Sequence, residues 1–357
     1  MAYIQLTGLA VLTLARLPIL SEFTLRRCNI ANGESIPSVS NAFRLCRFSS
    51  YSDRIEEWLP LLEPSSLRIL HVRSAPTTGA VLPVFPYVHE LQVRVNPTPT
   101  PADIDFLKKL PGVTKLRMDM DWSRGRPRLP LATLPANVLP VLADFTGPIR
   151  ALQLFIARDT LTRIDILTRI NADGETELDE FVTELQQLPA PLTNLIHLVA
   201  TFSYSCIDTA TGLEAIFASL PRLQDVEITF ALYQADWFDP APAVVVSKLP
   251  SIHGLSPHLQ RLSLIWQCSY SLPPHTVDTI ESDCDFFAVR AAVVAQCPDL
   301  KVLWLDGRDF VFLWHMQADI MDETEAMVTD PEDVEFVRFA WEVARQPPRL
   351  IYVDKDA

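Results

Sequence analysis

One short phrase recurs along the chain and constrains its fold more than any other feature. It consists of an apolar residue, two variable ones, an apolar residue, one variable, and another apolar. It reads Leu20-Ser21-Glu22-Phe23-Thr24-Leu25, Leu67-Arg68-Ile69-Leu70-His71-Val72 and Val88-His89-Glu90-Leu91-Gln92-Val93. It returns as Val113-Thr114-Lys115-Leu116-Arg117-Met118 and Ile149-Arg150-Ala151-Leu152-Gln153-Leu154. Later copies are Leu223-Gln224-Asp225-Val226-Glu227-Ile228, Leu259-Gln260-Arg261-Leu262-Ser263-Leu264 and Leu300-Lys301-Val302-Leu303-Trp304-Leu305. A further copy of unfixed register lies in 192–198, and Leu350-Ile351-Tyr352-Val353 reads as a closing strand. Self-similarity of this kind marks architectures in which each unit buries its apolar face on its neighbours.

The last two apolar positions of the phrase are two apart, the side-chain period of a strand, so each phrase predicts one short strand. Between the phrases lie helical candidates that end in Leu-Pro, at Leu110-Pro111, Leu188-Pro189 and Leu220-Pro221. Proline disfavours helical geometry in the residue before it and stops the helix there. Helix starts are predicted at Thr100, with Pro101 and Asp103 in the first turn, and at Asp330, with Pro331 and Asp333. Thr211 with Glu214 reads as a capping box, and Asp283 or Asp285 as a cap. A final helix from about Glu332 to Gln346 would bury Val334, Val337, Trp341 and Ala344.

A helix, a proline stop, a turn and a short strand make a leucine-rich repeat. The predicted fold class is therefore α/β: an irregular leucine-rich-repeat solenoid, with parallel strands on the concave face and helices on the convex face. It would be a single domain over 1–357, with the final helix and closing strand at about 330–353 as a C-terminal cap. Loops are expected at 96–101, 122–130, 237–242 and 269–282, which are rich in Pro, Ser, Asp or Arg. An ordinary α/β sheet also alternates strands with helices. Against it, the chain has only 10 glycines and no Gly-rich phosphate loop.

The phrases Leu220-Pro221-Arg222-Leu223-Gln224-Asp225-Val226-Glu227-Ile228 and Cys297-Pro298-Asp299-Leu300-Lys301-Val302-Leu303-Trp304-Leu305 resemble the repeat regions of fungal F-box proteins. The resemblance implies substrate recognition in a ubiquitin ligase, with the repeats recruiting the substrate. A repeat phrase already stands at 20–25 and no F-box-like "LPxEILxxIF" segment occurs, so the chain reads as a relative without an F-box.

Composition narrows the partner. Hydrophobic residues make up 48% of the chain and charged residues 21%, which is globular. The net charge of −14 disfavours nucleic acid and anionic membrane surfaces. No run approaches the length of a membrane span, and the apolar N-terminus lacks a basic leader, so an intracellular protein, cytoplasmic or nuclear, is expected. The six cysteines contain no C-x-x-C pair and read as reduced thiols, with Cys284–Cys297 pairing the minority reading.

Chemistry is thin. No G-x-S-x-G, P-loop, G-x-G-x-x-G or H-E-x-x-H occurs, so no catalytic residue, metal or cofactor is expected. An alternative is an enzyme of unrecognised type using Asp119 and Asp121, or His253 and His258. A structural repeat protein without a specific partner is another. The acidic stretch 319–335 reads as a solvated loop leading into the final helix.

Strand alternation predicts the binding face. If Leu70 and Val72 point inward, His71 and Arg73 point outward. Carried along the copies, this places Arg26, His71, Arg73, Arg94, Arg117, Phe155, Ile265 and Trp304 on the concave face. Arg26, Arg73 and Arg94 would form a basic column suited to an acidic or phosphorylated segment of a protein partner. Phe155, Ile265 and Trp304 would be apolar anchors.

Overall fold

The computed structural model describes residues 4–17, 19–26, 28–30, 42–51, 54–76, 82–95, 99–120, 133–156, 158–166, 177–187, 192–203, 209–232, 242–268, 284–307, 310–317, 322–329 and 331–345. The fold is α/β, and its strands are mostly parallel. The chain divides into two compact units, 1–169 with 183–199, and 170–182 with 200–357.

The first unit opens with β1 (Ile4–Leu6), α1 (Gly8–Ala15), β2 (Glu22–Leu25) and β3 (Cys28–Ile30), and β1 pairs with β3. Next come β4 (Arg47–Ser50), β5 (Ile69–Val72), β6 (Glu90–Val95), α2 (Pro101–Lys108) and β7 (Lys115–Met120). The chain continues through β8 (Asp144–Gly147), α3 (Ile149–Leu152) and β9 (Arg163–Ile166). Strands β2, β4, β5, β6, β7, β8 and β9 pair in that order, each parallel to the next. Parallel pairing demands a crossover each time, which the intervening helices and turns supply.

A backbone feature repeats with the phrase. The Ser21 carbonyl accepts from the N–H groups of Cys46 and Arg47, that of Cys46 from Arg68 and Ile69, and that of Arg68 from His89 and Glu90. His89, Thr114, Ala143 and Thr162 continue the series, each accepting from two consecutive N–H groups of the next copy. Both lone pairs of one carbonyl are used at each strand start, so the register is held before the ladder begins.

Helix α2 starts as its sequence predicts. Thr100 accepts from the Asp103 N–H, and the Asp103 carboxylate accepts from the Thr100 N–H, a complete capping box. After α2 the chain turns at Gly112, where a Cβ would run into the Pro86 carbonyl oxygen. Buried Arg158 donates to the carbonyls of Leu134, Pro135 and Val138 and so ties down the turn before β8.

The second unit holds β11 (Asp225–Leu232), β12 (Arg261–Cys268), β13 (Val302–Asp306), β14 (Val311–Gln317) and β15 (Asp322–Val328). Its helices are α5 (Thr209–Ser219), α6 (Pro242–Lys248), α7 (Phe286–Gln296) and α8 (Pro331–Arg345). Helix α4 (Glu177–Gln186) and strand β10 (His197–Ser203) run from one unit's residues into the other's. Strands β11, β12 and β13 are parallel, whereas β13, β14 and β15 are antiparallel. The double-acceptor pattern recurs here, from Gln224 to Gln260 and Arg261, and from Gln260 to Lys301 and Val302. The interior carries a row of rings: Phe181 to Phe202 at 5.3 Å, Phe202 to Phe230 at 6.4 Å, and Phe230 to Trp266 at 5.3 Å. Full burial of such a side chain contributes about 1.5–3 kcal/mol.

Several expectations need correction. Residues 149–154 are not a strand: Ile149–Leu152 is helical and continues as one 3-10 turn. The true strand is β8, just upstream. Apolar residues three apart suit one face of a helix as well as the phrase, and Pro148 in front favours the helix. Thr211 is not a cap, because α5 begins at Thr209. The acidic stretch is not all loop, because Asp322–Val328 forms β15. Its Glu325 pairs with Arg290 of α7 at 3.0 Å, which anchors the acidic strand to the fold.

Asp285 caps α7 by accepting from the Ala288 N–H, and α8 begins at Pro331 as predicted. The closing strand at 350–353, Asp121, Asp283, and all or part of each predicted loop lie outside the described residues.

Candidate functional site

On the first unit, strand residues alternate between buried and outward positions. Phe48, Leu70, Leu91, Leu116, Phe145 and Ile164 are buried, and the residues between them form three outward rows.

The first row reads Glu22, Arg47, Ile69, Glu90, Lys115, Asp144, Arg163. Acids and bases largely alternate along it, with 3.9 Å contacts from Arg47 to Glu22 and from Arg163 to Asp144. Opposite charges on facing strands stabilise the pairing modestly. Burial pushes the Asp144 carboxyl above its ordinary value, while Arg163, Lys115 and His197 pull it down by less.

The second row reads Thr24, Ser49, His71, Gln92, Arg117, Thr146, Asp165, and within it Ser49 is buried. His71 Nε2 lies 3.0 Å from Glu90 Oε1, which fixes the imidazole. Arg117 is exposed.

The third row lies at the C-terminal ends of the strands. Leu25 faces Ser50, so Arg26 is followed across the sheet by Tyr51. Val72 faces Val93, which brings Arg73 beside Arg94, and Arg94 faces Asp119. Arg26, Arg73 and Arg94 therefore do share a row, but Tyr51 stands between the first two. The Arg26 guanidinium carbon sits 5.7 Å from the centre of the half-exposed Tyr51 ring. Ser50, Tyr51, His71, Val72, Arg73, Gln92 and Arg94 enclose a hollow of about 310 Å³. Among the described residues that line it there is no carboxylate, and this volume is at the small end of the range for ligand sites.

Tyr51 and Ser50 were missed because β4 was missed. Its signal was present: Leu45-Cys46-Arg47-Phe48-Ser49-Ser50 is the phrase with serine in the last apolar place.

Three apolar residues expected on the open face are placed otherwise. Phe155 is fully buried in the first unit, its ring 5.6 Å from that of Phe145, because its segment is helical. Trp304 does point to the side predicted, but it is 1% exposed. In the second unit α8 lies over that side of the sheet. Trp341 stacks on Trp304, and Val334 and Val337 pack on the same cluster, with Ile265 half-buried at its margin. Arg338 of α8 donates through Nη2 and Nε to Asp306 Oδ1 at 2.7 and 2.8 Å, and through Nη2 to the Gly307 carbonyl. On the other side Phe286 of α7 packs against Phe312. With both faces covered, every residue of β13 is buried.

Asp119 lies in β7 opposite Arg94, and Asp121 is outside the described residues. His253 and His258 are exposed on turns, and His258 Nδ1 is 3.4 Å from Asp299. Among the described residues no group of His, Cys, Asp and Glu is placed to hold a metal ion, and no helix is long and apolar enough to cross a membrane. Cys28, Cys46, Cys284 and Cys297 are free thiols, so Cys284 and Cys297 are not paired.

Comparison with known proteins gave no match to any protein-family model and no similar curated protein.

Proposed function

We propose that the chain is a protein-interaction scaffold of the leucine-rich-repeat type. On this reading, an acidic or phosphorylated segment of a protein partner lies across the outward face of β2, β4, β5, β6 and β7. Substrate recognition in a ubiquitin-ligase setting is the context that the likeness to fungal F-box repeat regions implies.

One observation carries the reading. Arg26, Tyr51, Arg73 and Arg94 line up at the same level of successive strands, beside a hollow whose described lining residues include no carboxylate. In a chain of net charge −14 this is a local inversion of sign. Guanidinium groups pair with carboxylates and phosphates through two parallel hydrogen bonds, and an exposed aromatic beside them supplies contact area. The repeated double-acceptor carbonyls support the solenoid part of the proposal, since they mark one structural unit used again and again.

The test is affinity capture from a cell extract with the wild-type chain and with the Arg73→Glu/Arg94→Glu double variant, both checked for folding by thermal unfolding. A partner held by the wild type and lost by the folded variant supports the reading. A partner retained undiminished by the variant contradicts it.

A further inference from the structure

We infer that the outward face of α8 docks an amphipathic helix of another protein, one whose apolar stripe is flanked by lysines or arginines. The inference concerns the second unit alone and is independent of the docking surface proposed above for β2, β4, β5, β6 and β7.

The two faces of α8 supply the first argument. At about 3.6 residues per turn, Val334, Val337 and Trp341 share one side of the helix, where they pack with Trp304 and Val311. Phe336, Phe339 and Ala340 fall on the opposite side, with Phe336 70% and Phe339 67% exposed. A helix that packs on a sheet through one stripe ordinarily keeps its far face polar. Single exposed apolar residues are common, but two phenylalanines one turn apart on one face form a patch of the kind that marks contact sites.

Charge at the border of the patch supplies the second. Asp333 precedes Phe336 by one turn and Glu335 precedes Phe339 by one turn, so an exposed carboxylate stands on each side of the phenylalanines. Arg338 donates to Glu335 at 2.8 Å and also to Asp306 at 2.7 Å, so its one positive charge is divided between two carboxylates. Arg338 is the only Lys or Arg in the sequence from 319 to 344. An apolar stripe with acidic borders is complementary to an apolar stripe with basic borders.

Shape and charge together select the occupant. The patch follows the i, i+3, i+4 ridge of a helix, and such a ridge packs into the groove of a second helix. A second copy of α8 would bring its own Asp333 and Glu335 to the contact, and two chains of net charge −14 repel. An anionic membrane surface is repelled by the same two carboxylates. A basic amphipathic helix covers the phenylalanines and meets both carboxylates.

The experiment is fluorescence anisotropy of a labelled Leu/Lys peptide of amphipathic helical pattern, titrated with the full chain, beside a Leu/Glu peptide with the same apolar positions. The Leu/Lys peptide is expected to bind and the Leu/Glu peptide to bind far more weakly. Phe336→Ser/Phe339→Ser should weaken the Leu/Lys peptide by about tenfold or more, as loss of aromatic anchors does, with thermal unfolding unchanged because both rings lie outside the core. Asp333→Lys should weaken it too, and by less as salt rises. Equal binding of the Leu/Glu peptide, or undiminished binding by Asp333→Lys, overturns the basic partner. Undiminished binding by the double Ser variant shows an attraction spread over the acidic chain and overturns the site. Absence of Leu/Lys binding by the wild type overturns the inference outright. Light scattering reads the remaining occupant: a wild-type dimer that the double Ser variant loses assigns the patch to a second copy and also overturns the inference.

Discussion

The indole rings of Trp304 and Trp341 stack with their centroids 4.6 Å apart and their planes 5° from parallel. The contact joins β13 to α8 and closes one side of the second unit's sheet. Trp341→Ala should destabilise that unit by about 2–3 kcal/mol, below the full cost of deleting a completely buried aromatic, because Trp341 is only partly buried. The indole N–H of Trp304 has no acceptor among the described residues. Trp304→Phe, which keeps a ring and removes that donor, should therefore cost far less than Trp304→Ala. Urea unfolding of the three variants checks both statements, and equal losses for Phe and Ala would refute the stacking account.

The Asp306–Arg338 pair is the polar counterpart of that stack. Asp306 is 7% exposed, and Arg338 gives it two hydrogen bonds. Desolvation works against the Arg338 charge, but the bonds to Asp306 and Glu335 outweigh it, and its pKa is raised. Removing one partner of such a pair strands a buried charge. Arg338→Met is expected to cost about 3 kcal/mol, and Arg338→Met/Asp306→Leu to recover part of that loss. A double variant worse than the single one would show that the pair is not the unit of interaction.

Asp144 predicts a pH effect of definite sign. Its folded pKa is raised above 3.8, so between 3.8 and the raised value the native state binds more protons than the unfolded one. This group's contribution to stability is therefore most favourable in acid and falls as pH rises through that window. Asp144→Asn should gain on the wild type as pH climbs from below 3.8 towards neutrality. Denaturant titrations of both proteins across that range check it, and a variant that loses stability relative to the wild type as pH rises would contradict the assignment.

The thiols should separate by reactivity. Burial pushes the Cys297 thiol up to about 11, and burial together with the Asp285 charge does the same for Cys284. Since the thiolate is the nucleophile, both should resist iodoacetamide at pH 8, while exposed Cys46 is alkylated first. Peptide mass spectrometry over time reads the order directly. Rapid modification of Cys297 in the folded protein would contradict its burial.

Much of the architecture was legible because the phrase encodes a strand in two ways: its first apolar residue is buried in the turn, and its last two line the core. Leu67, Val88, Val113, Leu223, Leu259 and Leu300 are all buried, as that reading requires. The errors have a common origin. The phrase contains an i, i+3 step, so it also fits a helix, and 149–154 took that option. Conversely, Leu142-Ala143-Asp144-Phe145-Thr146-Gly147 and Leu45-Cys46-Arg47-Phe48-Ser49-Ser50 place a glycine or a serine in the last position and passed unnoticed. Leu161-Thr162-Arg163-Ile164-Asp165-Ile166 fits the phrase without exception and was overlooked beside the false copy.

The site was legible to the same degree. Alternation placed His71, Arg73, Arg94 and Arg117 on the outward side, because side-chain direction follows from the strand period alone. It also gave the right side for Trp304. What it does not encode is whether something covers that side. In the second unit α8 covers it, and that helix comes from a part of the chain remote in sequence from β12. Its apolar stripe at Val334, Val337 and Trp341 was readable, but the surface it chose was not.

The central claim is that the outward face of β4, β5 and β6 docks an acidic or phosphorylated segment. Hydrogen–deuterium exchange of the chain, with and without its captured partner, tests this most directly. The account predicts slowed exchange in the peptides covering Arg47–Ser50, Ile69–Val72 and Glu90–Val95, with α2 unchanged. Protection confined to α2 and the other helices, with those three strands unaffected, would contradict it.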